Sequence, residues 1–257
     1  MDNKKRDELW GVAGRYLGEE PMHGLPHIRR VHANFEMFQP EKPWGITYPV
    51  PIRDALETAV ILHDIGRSVA GQADHAPKSA ELLKNMFQGE LADVPNQEWV
   101  LKAVGGHSVG LEGQILDQGD EILALLCVFD HMDCLGVIGI HRLTIYWCGG
   151  QPYRIPWVPA GVETKEQKER MLKEIEYLLA HPEKIARRDI GMRERSFLDC
   201  LVYYFCATSH IIEPVSHLLG QEFYDENNAR LAYAKRYILH LAMALLFQQG
   251  KYKGAVP

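Results

Sequence analysis

The chain lacks any apolar stretch long enough to cross a bilayer. No uninterrupted run exceeds the eight residues of Ile122 to Phe129, against the roughly 20 that a spanning helix needs. No apolar segment follows the charged opening MDNKKRDELW, as one would in a signal peptide. A membrane partner is therefore not expected, and a cytoplasmic location is. Positive charge is not in excess either: 28 lysines and arginines stand against 34 aspartates and glutamates, a net charge of -6. That balance argues against a general nucleic-acid binder and leaves room for a local basic pocket around one phosphorylated small molecule. Cysteine is scarce. The five present form no CxxC pair and are an odd number, which reads as free thiols in a reducing compartment rather than a disulfide framework. No two alternating apolar runs are joined by a hairpin signal, so strands are not expected. Repeats, low-complexity tracts and linker-like segments are also missing, and residues 1–257 are read as a single all-α domain.

What the sequence does contain is helical periodicity. It predicts helices over roughly 3–17, 26–38, 52–65, 74–88, 95–105, 118–145 with a break near Gly136, 163–180, 193–218 broken near Pro214, and 222–248. Pro26 suits the first turn of the second helix, and Asp74 can cap the fourth. Two stretches rich in proline and aromatic residues, Gln39 to Pro51 and Cys148 to Gly161, resist assignment. Long ordered loops of this kind are either binding elements or segments pinned to the core, here by Trp44, Tyr48, Tyr153 and Trp157.

The residues that carry chemistry begin with His63-Asp64, at the end of the apolar run AVILHDIGR. Val60, Ile61 and Leu62 form the buried end of a helix, and Gly66 reads as its stop. An imidazole and a carboxylate carried toward the interior need a partner, and a divalent cation supplies one. For the dipeptide alone, a hydrogen-bonded core histidine is the competing reading. Three further segments place ligand types in helical contexts. In HGLPHIRRVH, His27 lies just inside a helix and Arg30 follows one turn later. In VGGHS, His107 stands behind two glycines that permit close backbone approach. In LLCVFDHMDCLG, Asp130 interrupts an apolar run and Asp133 is one turn on; burying Asp130 is costly without a cation or strong hydrogen bonds.

In this order and context the segments resemble the HD superfamily of metal-dependent phosphohydrolases. The likeness rests on His27-Ile28-Arg29-Arg30-Val31, on HDIG at His63 to Gly66, and on the D, D and G of Asp130 to Gly136, and it covers about 20–145. It implies an all-α HD-domain helical bundle with that stretch as core, and additional C-terminal helices at about 163–257. It also implies metal ligation by His27, His63, Asp64 and Asp130. Two imidazoles and two carboxylates leave two positions of an octahedral ion open, which suits one Mn, Fe, Co or Ni ion better than Mg or a closed structural Zn. His75 and His107 follow His63 by 12 and 44 residues, a spacing that does not match a two-metal site. His107 is read instead as an acid/base group or a solvated loop residue. His75, with Lys78, is read as facing an incoming phosphate or as a plain helix start, and His23 as rim.

The activity implied by the resemblance is hydrolysis of a phosphoester or phosphoanhydride in a small phosphorylated molecule, a nucleotide being the leading class, by a metal-activated water. One divalent cation with Asp64 and Asp130 is formally neutral, so an anionic substrate needs positive groups at the mouth. Arg30, Lys78 and Arg142 are the candidates, Arg30 first. Asp64 is expected to act as the base and His107 to protonate the leaving group. Two alternatives stand beside this reading. One is a mixed-valence di-iron HD oxygenase, which six protein ligands around two irons would favour. The other is a non-catalytic, ligand-binding regulatory module. Formation of a homo-oligomer is left open.

Overall fold

The structure, a computed structural model, describes residues 1–20, 22–37, 50–70, 74–108, 121–135, 137–144, 156–184, 196–212 and 221–247. The helices are α1 (Asn3–Tyr16), α2 (Leu25–Met37), α3 (Val50–Leu62), α4 (His75–Met86), α5 (Gln97–Gly106), α6 (Glu121–Leu135), α7 (Val137–Thr144), α8 (Lys165–Ala180), α9 (Phe197–Ile212) and α10 (Gln221–Phe247). Short 3-10 turns lie at Ile65–Ser68 and Pro182–Lys184. The fold is all-α, with no strand among the described residues. None of the described helices is long and apolar enough to cross a membrane. The expected breaks at Gly136 and Pro214, and the stretches 39–49 and 148–155, lie outside the described residues.

The chain divides into two compact units. One comprises Met1–Asp133 with Ile211–Glu226, the other Cys134–His210 with Asn227–Pro257. In the first unit α3 is the central element. Every residue from Ala55 to Leu62 is buried, so this part of α3 has no solvent face and its C-terminal end delivers His63 into the interior. It packs against α1, α2 and α5. The same burial takes in Glu57, which is wholly enclosed. Arg6 of α1 pairs with its carboxylate, and His32 of α2 stands 3.1 Å from it, so one buried anion joins three helices.

Beyond α3 the chain makes its 3-10 turn and enters α4, and Gly66 decides how closely the two approach. A Cβ at Gly66 would collide with the His75 carbonyl and the Ser79 nitrogen of α4. The Gly66 N–H instead donates to Ser79 Oγ at 2.8 Å. Gly66 has no positive φ, so it serves close approach rather than the left-handed helix stop expected from its position. Asp74 occupies the N-cap position of α4 without a side-chain capping bond, whereas Pro26 does lie in the first turn of α2. The glycines before His107 act as anticipated: a side chain at Gly106 would press on Leu123 of α6, and one at Gly105 would touch Ala80 of α4. Asn34 Nδ2 donates to the Phe129 carbonyl at 3.0 Å, which ties α2 to α6.

In the second unit, α8 starts with a reciprocal cap, in which Thr164 accepts from the Gln167 backbone and the Gln167 side chain returns to Thr164. Its apolar stripe Met171, Ile175 and Leu179 is buried. The Cys206 thiol of α9 donates to the Leu178 carbonyl at 3.4 Å; burial, with Glu183 nearby, pushes its pKa up to about 12. Cys127, Cys134, Cys200 and Cys206 are all free.

Candidate metal centre

Three histidines are oriented by the same device. His63, one residue past α3, has Nδ1 2.9 Å from the Val60 carbonyl. His107, at the end of α5, has Nδ1 2.7 Å from the Val104 carbonyl. His27, in the first turns of α2, has Nδ1 2.7 Å from Asp133 Oδ2. A carbonyl or carboxylate oxygen can only accept, so each ring carries its proton on Nδ1, and a neutral ring presents Nε2 as a lone pair. His27 Nε2 lies 3.1 Å from Asp130 Oδ1 and 3.8 Å from Asp64 Oδ2. His63 Nε2 lies 3.9 Å from each of those oxygens. Donors sharing one octahedral ion with bonds of about 2.1 Å stand about 3.0 Å apart when adjacent and about 4.2 Å when opposite. The four spacings fall in that interval. His63 Nε2 and both Asp64 oxygens are buried without an aligned hydrogen bond, which is costly unless a cation occupies the space between them. The described residues thus include histidine and aspartate groups able to hold a metal ion.

A second group shares Asp64. His75, the first residue of α4, has Nε2 3.2 Å from Asp64 Oδ1, and His107 Nε2 is 3.5 Å from the same oxygen. The two Nε2 atoms are 3.2 Å apart. His107 has its proton on Nδ1, and Arg67 Nη2 donates to His75 Nε2 at 3.1 Å. The Nε2 atoms of His75 and His107 and one carboxylate oxygen thus face one another, a set that a shared proton or a cation would join. His63, Asp64 and His107 together meet the spacing of a metal-holding group. Sequence spacing had set His75 and His107 aside. It carries little weight here, because the Gly66–Ser79 contact brings α4 back onto the turn that follows Asp64.

Electrostatics match this arrangement. Burial lowers the pKa of His63 to about 4, so the ring is neutral near pH 7, as ligation requires. Burial pushes the Asp64 carboxyl up, but His63, the Arg67 guanidinium and His107 hold it well below the usual range. Asp130 is likewise lowered against its burial, chiefly by the hydrogen bond and charge of His27. His27 is raised to about 9, burial being overcome by hydrogen bonds to Asp130 and Asp133. An ion held there would take the place of that proton. His63, Asp64 and His107 have almost no exposed side-chain surface, whereas Asp130 is 21% and Arg67 18% exposed. The latter two mark the mouth. His23, with its ring kept neutral by burial and by Arg67 at a pKa of about 3, stands 3.9 Å from Asp64 Oδ2.

Two of the cations expected at this mouth, Arg30 and Lys78, have carboxylate partners of their own. Arg30 donates through Nε to Asp133 Oδ1 at 2.7 Å. Lys78 pairs with Glu81 at 2.6 Å on the exposed side of α4. Arg142 is buried in α7, in the other unit. Arg67 reaches the Asp64 side of the cluster, its Nε 2.6 Å from Asp64 Oδ2. Sequence reasoning passed over it, although HDIGR sets a cation three residues after the aspartate, one 3-10 turn away on the same side.

Searches among curated proteins and among solved structures return no match. The family model of the HD domain matches residues 27–135, an interval that opens on His27 and contains His63, Asp64, His75, His107, Asp130 and Asp133. With the all-α fold and the ligand geometry, that match makes residues 27–135 an HD domain.

Proposed function

We propose that the chain is a metal-dependent phosphohydrolase that acts on a small phosphorylated molecule, with a nucleotide as the leading substrate class. The observation that carries this reading is the convergence of the Nε2 atoms of His27 and His63 and the carboxylate oxygens of Asp64 and Asp130 on one buried space. His27, His63, Asp64 and Asp130 would hold a divalent ion, with Mn, Fe, Co or Ni suited better than Mg or Zn by the mixed nitrogen and oxygen donors. When bound, such an ion supplies Lewis acidity to a phosphoryl oxygen and lowers the pKa of water. Asp64 and Asp130 neutralise one divalent ion, and Arg67 adds a positive charge at the mouth, so the site as a whole favours an anionic substrate. Arg67 would bind a phosphoryl oxygen through its guanidinium. Asp64, held ionised, can accept a proton through Oδ1. His107 fits a ligand better than the leaving-group acid first expected, because its Nδ1 proton is committed to Val104 and its Nε2 faces Asp64 and His75 inside the cluster.

The group formed by Asp64, His75 and His107 supports a second ion bridged by Asp64. It thereby also favours the rival reading, a di-iron oxygenase. One experiment separates them: phosphate release from a panel of nucleotides, sugar phosphates and phosphonates by protein loaded with manganese, cobalt or nickel without oxygen. Turnover in that panel is the expected result, with none for Asp64→Ala. Turnover confined to iron-loaded protein and requiring oxygen would establish the oxygenase. A fully metallated protein that turns nothing over would be a binding module.

A further inference from the structure

Asp133 is the one carboxylate of the cluster that faces no open side of the proposed ion. Its Oδ2 is 2.7 Å from His27 Nδ1, and its Oδ1 accepts from Arg30 Nε at 2.7 Å. The residue is 7% exposed, so its contact with His27 is buried, while the one with Arg30, itself 25% exposed, is half-buried. His63 and His107 bond their Nδ1 atoms to carbonyls of their own helices, three residues back. His27 cannot do so: it is in the third position of its helix, and the residue three back, Gly24, lies before the helix and has its carbonyl taken by the backbone N–H groups of His27 and Ile28. Its orienting acceptor has to come from another element, and α6 provides it one turn beyond Asp130.

We infer that Asp133 is a positioning residue for His27, and that Arg30 acts through Asp133 rather than on substrate. The carboxylate fixes the Nδ1–H tautomer and the ring plane, so that Nε2 points at the ion, and makes the imidazole a better donor. Arg30, on the same helix as His27, neutralises the buried carboxylate and locks its rotamer. One helix thus supplies a ligand together with the counter-ion of that ligand's support. This assignment rests on the metal reading given above and extends it to residues that never touch the ion.

The test is cobalt and manganese binding to the purified full chain, measured by competition titration and by the visible spectrum of the cobalt form. In Asp133→Asn the amide can turn its NH2 toward Nδ1 and force the ring proton onto Nε2. The expected result is binding weaker by about 10- to 100-fold, with a changed cobalt spectrum and an unchanged helical circular dichroism. Arg30→Gln is expected to weaken binding in the same direction by less, and Asp133→Glu to recover part of the loss. A folded Asp133→Asn protein with the affinity and spectrum of the parent overturns the inference while leaving the proposed function intact. If Asp133→Asn does not fold, Arg30→Gln decides, and unaltered metal affinity there overturns it equally. A parent protein that binds neither ion sinks the metal reading itself, and this inference with it.

Discussion

Arg67 and Asp64 are three residues apart, yet they meet side chain to side chain at the mouth of a buried cluster. If Arg67 holds a phosphoryl oxygen, its loss removes charge-assisted hydrogen bonds worth about 1.5–3 kcal/mol each, which corresponds to about tenfold or more in apparent substrate affinity. Arg67→Ala is therefore expected to raise KM by at least that factor, with a smaller change in kcat, in steady-state assays at saturating metal. A variant with unaltered KM would reduce Arg67 to a counter-ion of Asp64. At this scale the sequence singled out residues that the structure brings together, because a carboxylate or imidazole inside an apolar run is conspicuous: His27, His63, Asp64 and Asp130, the ligands of the proposed ion, all stand in such a context. It did not show direction. Nothing in HIRRVH says that the arginine three residues after His27 turns to Asp133 instead of to solvent or substrate. Nor does DHAPKSAELL reveal that His75 opens its helix against Asp64.

Among the elements, α3 has the most to hold in place, since it delivers the doublet and also carries the buried Glu57 between Arg6 and His32. Burial alone would raise the Glu57 carboxyl, but His32 and Arg6 bring it below the usual glutamate value of 4.5. A carboxyl with a folded pKa below its unfolded value contributes stability that is complete above the unfolded value and is lost as pH falls through the folded one. Glu57→Gln should therefore destabilise the protein by about 2 kcal/mol near neutrality and flatten the fall in stability below that pH. Urea unfolding of parent and variant from pH 7 to pH 3 checks this. Parallel curves would mean that Glu57 titrates alike folded and unfolded. Helix positions were legible because a 3.6-residue apolar period survives in α1, α2, α4 and α8. The turn between α3 and α4 was misjudged in detail. Glycine after a helix suggests a left-handed stop, and only the neighbouring helix reveals that the missing side chain makes room for backbone.

For the whole molecule, an all-helical build could be read from the missing alternation, whereas the division into two units left no trace in composition. Its borders after Asp133, His210 and Glu226 fall inside α6, α9 and α10, where no linker chemistry marks them. An ion that binds only the folded state stabilises the protein in proportion to its occupancy, by about 2.7 kcal/mol at a hundred times its Kd. Manganese should accordingly raise the unfolding temperature, a chelator should reverse the gain, and His63→Ala should show neither response in calorimetry. Identical scans with manganese and with chelator would argue that no ion is held. Asp64 gives this balance an evolutionary side. Both of its oxygens are buried with no aligned hydrogen bond, and the charge that offsets their burial comes from Arg67 and the neighbouring histidines, so the residue is held for its chemistry rather than for packing. Selection on the fold alone has little reason to keep a carboxylate here. A descendant that had abandoned catalysis would be under pressure to replace this aspartate early, with asparagine or an apolar residue, and the identity of residue 64 is thus a record of whether a lineage still uses its metal.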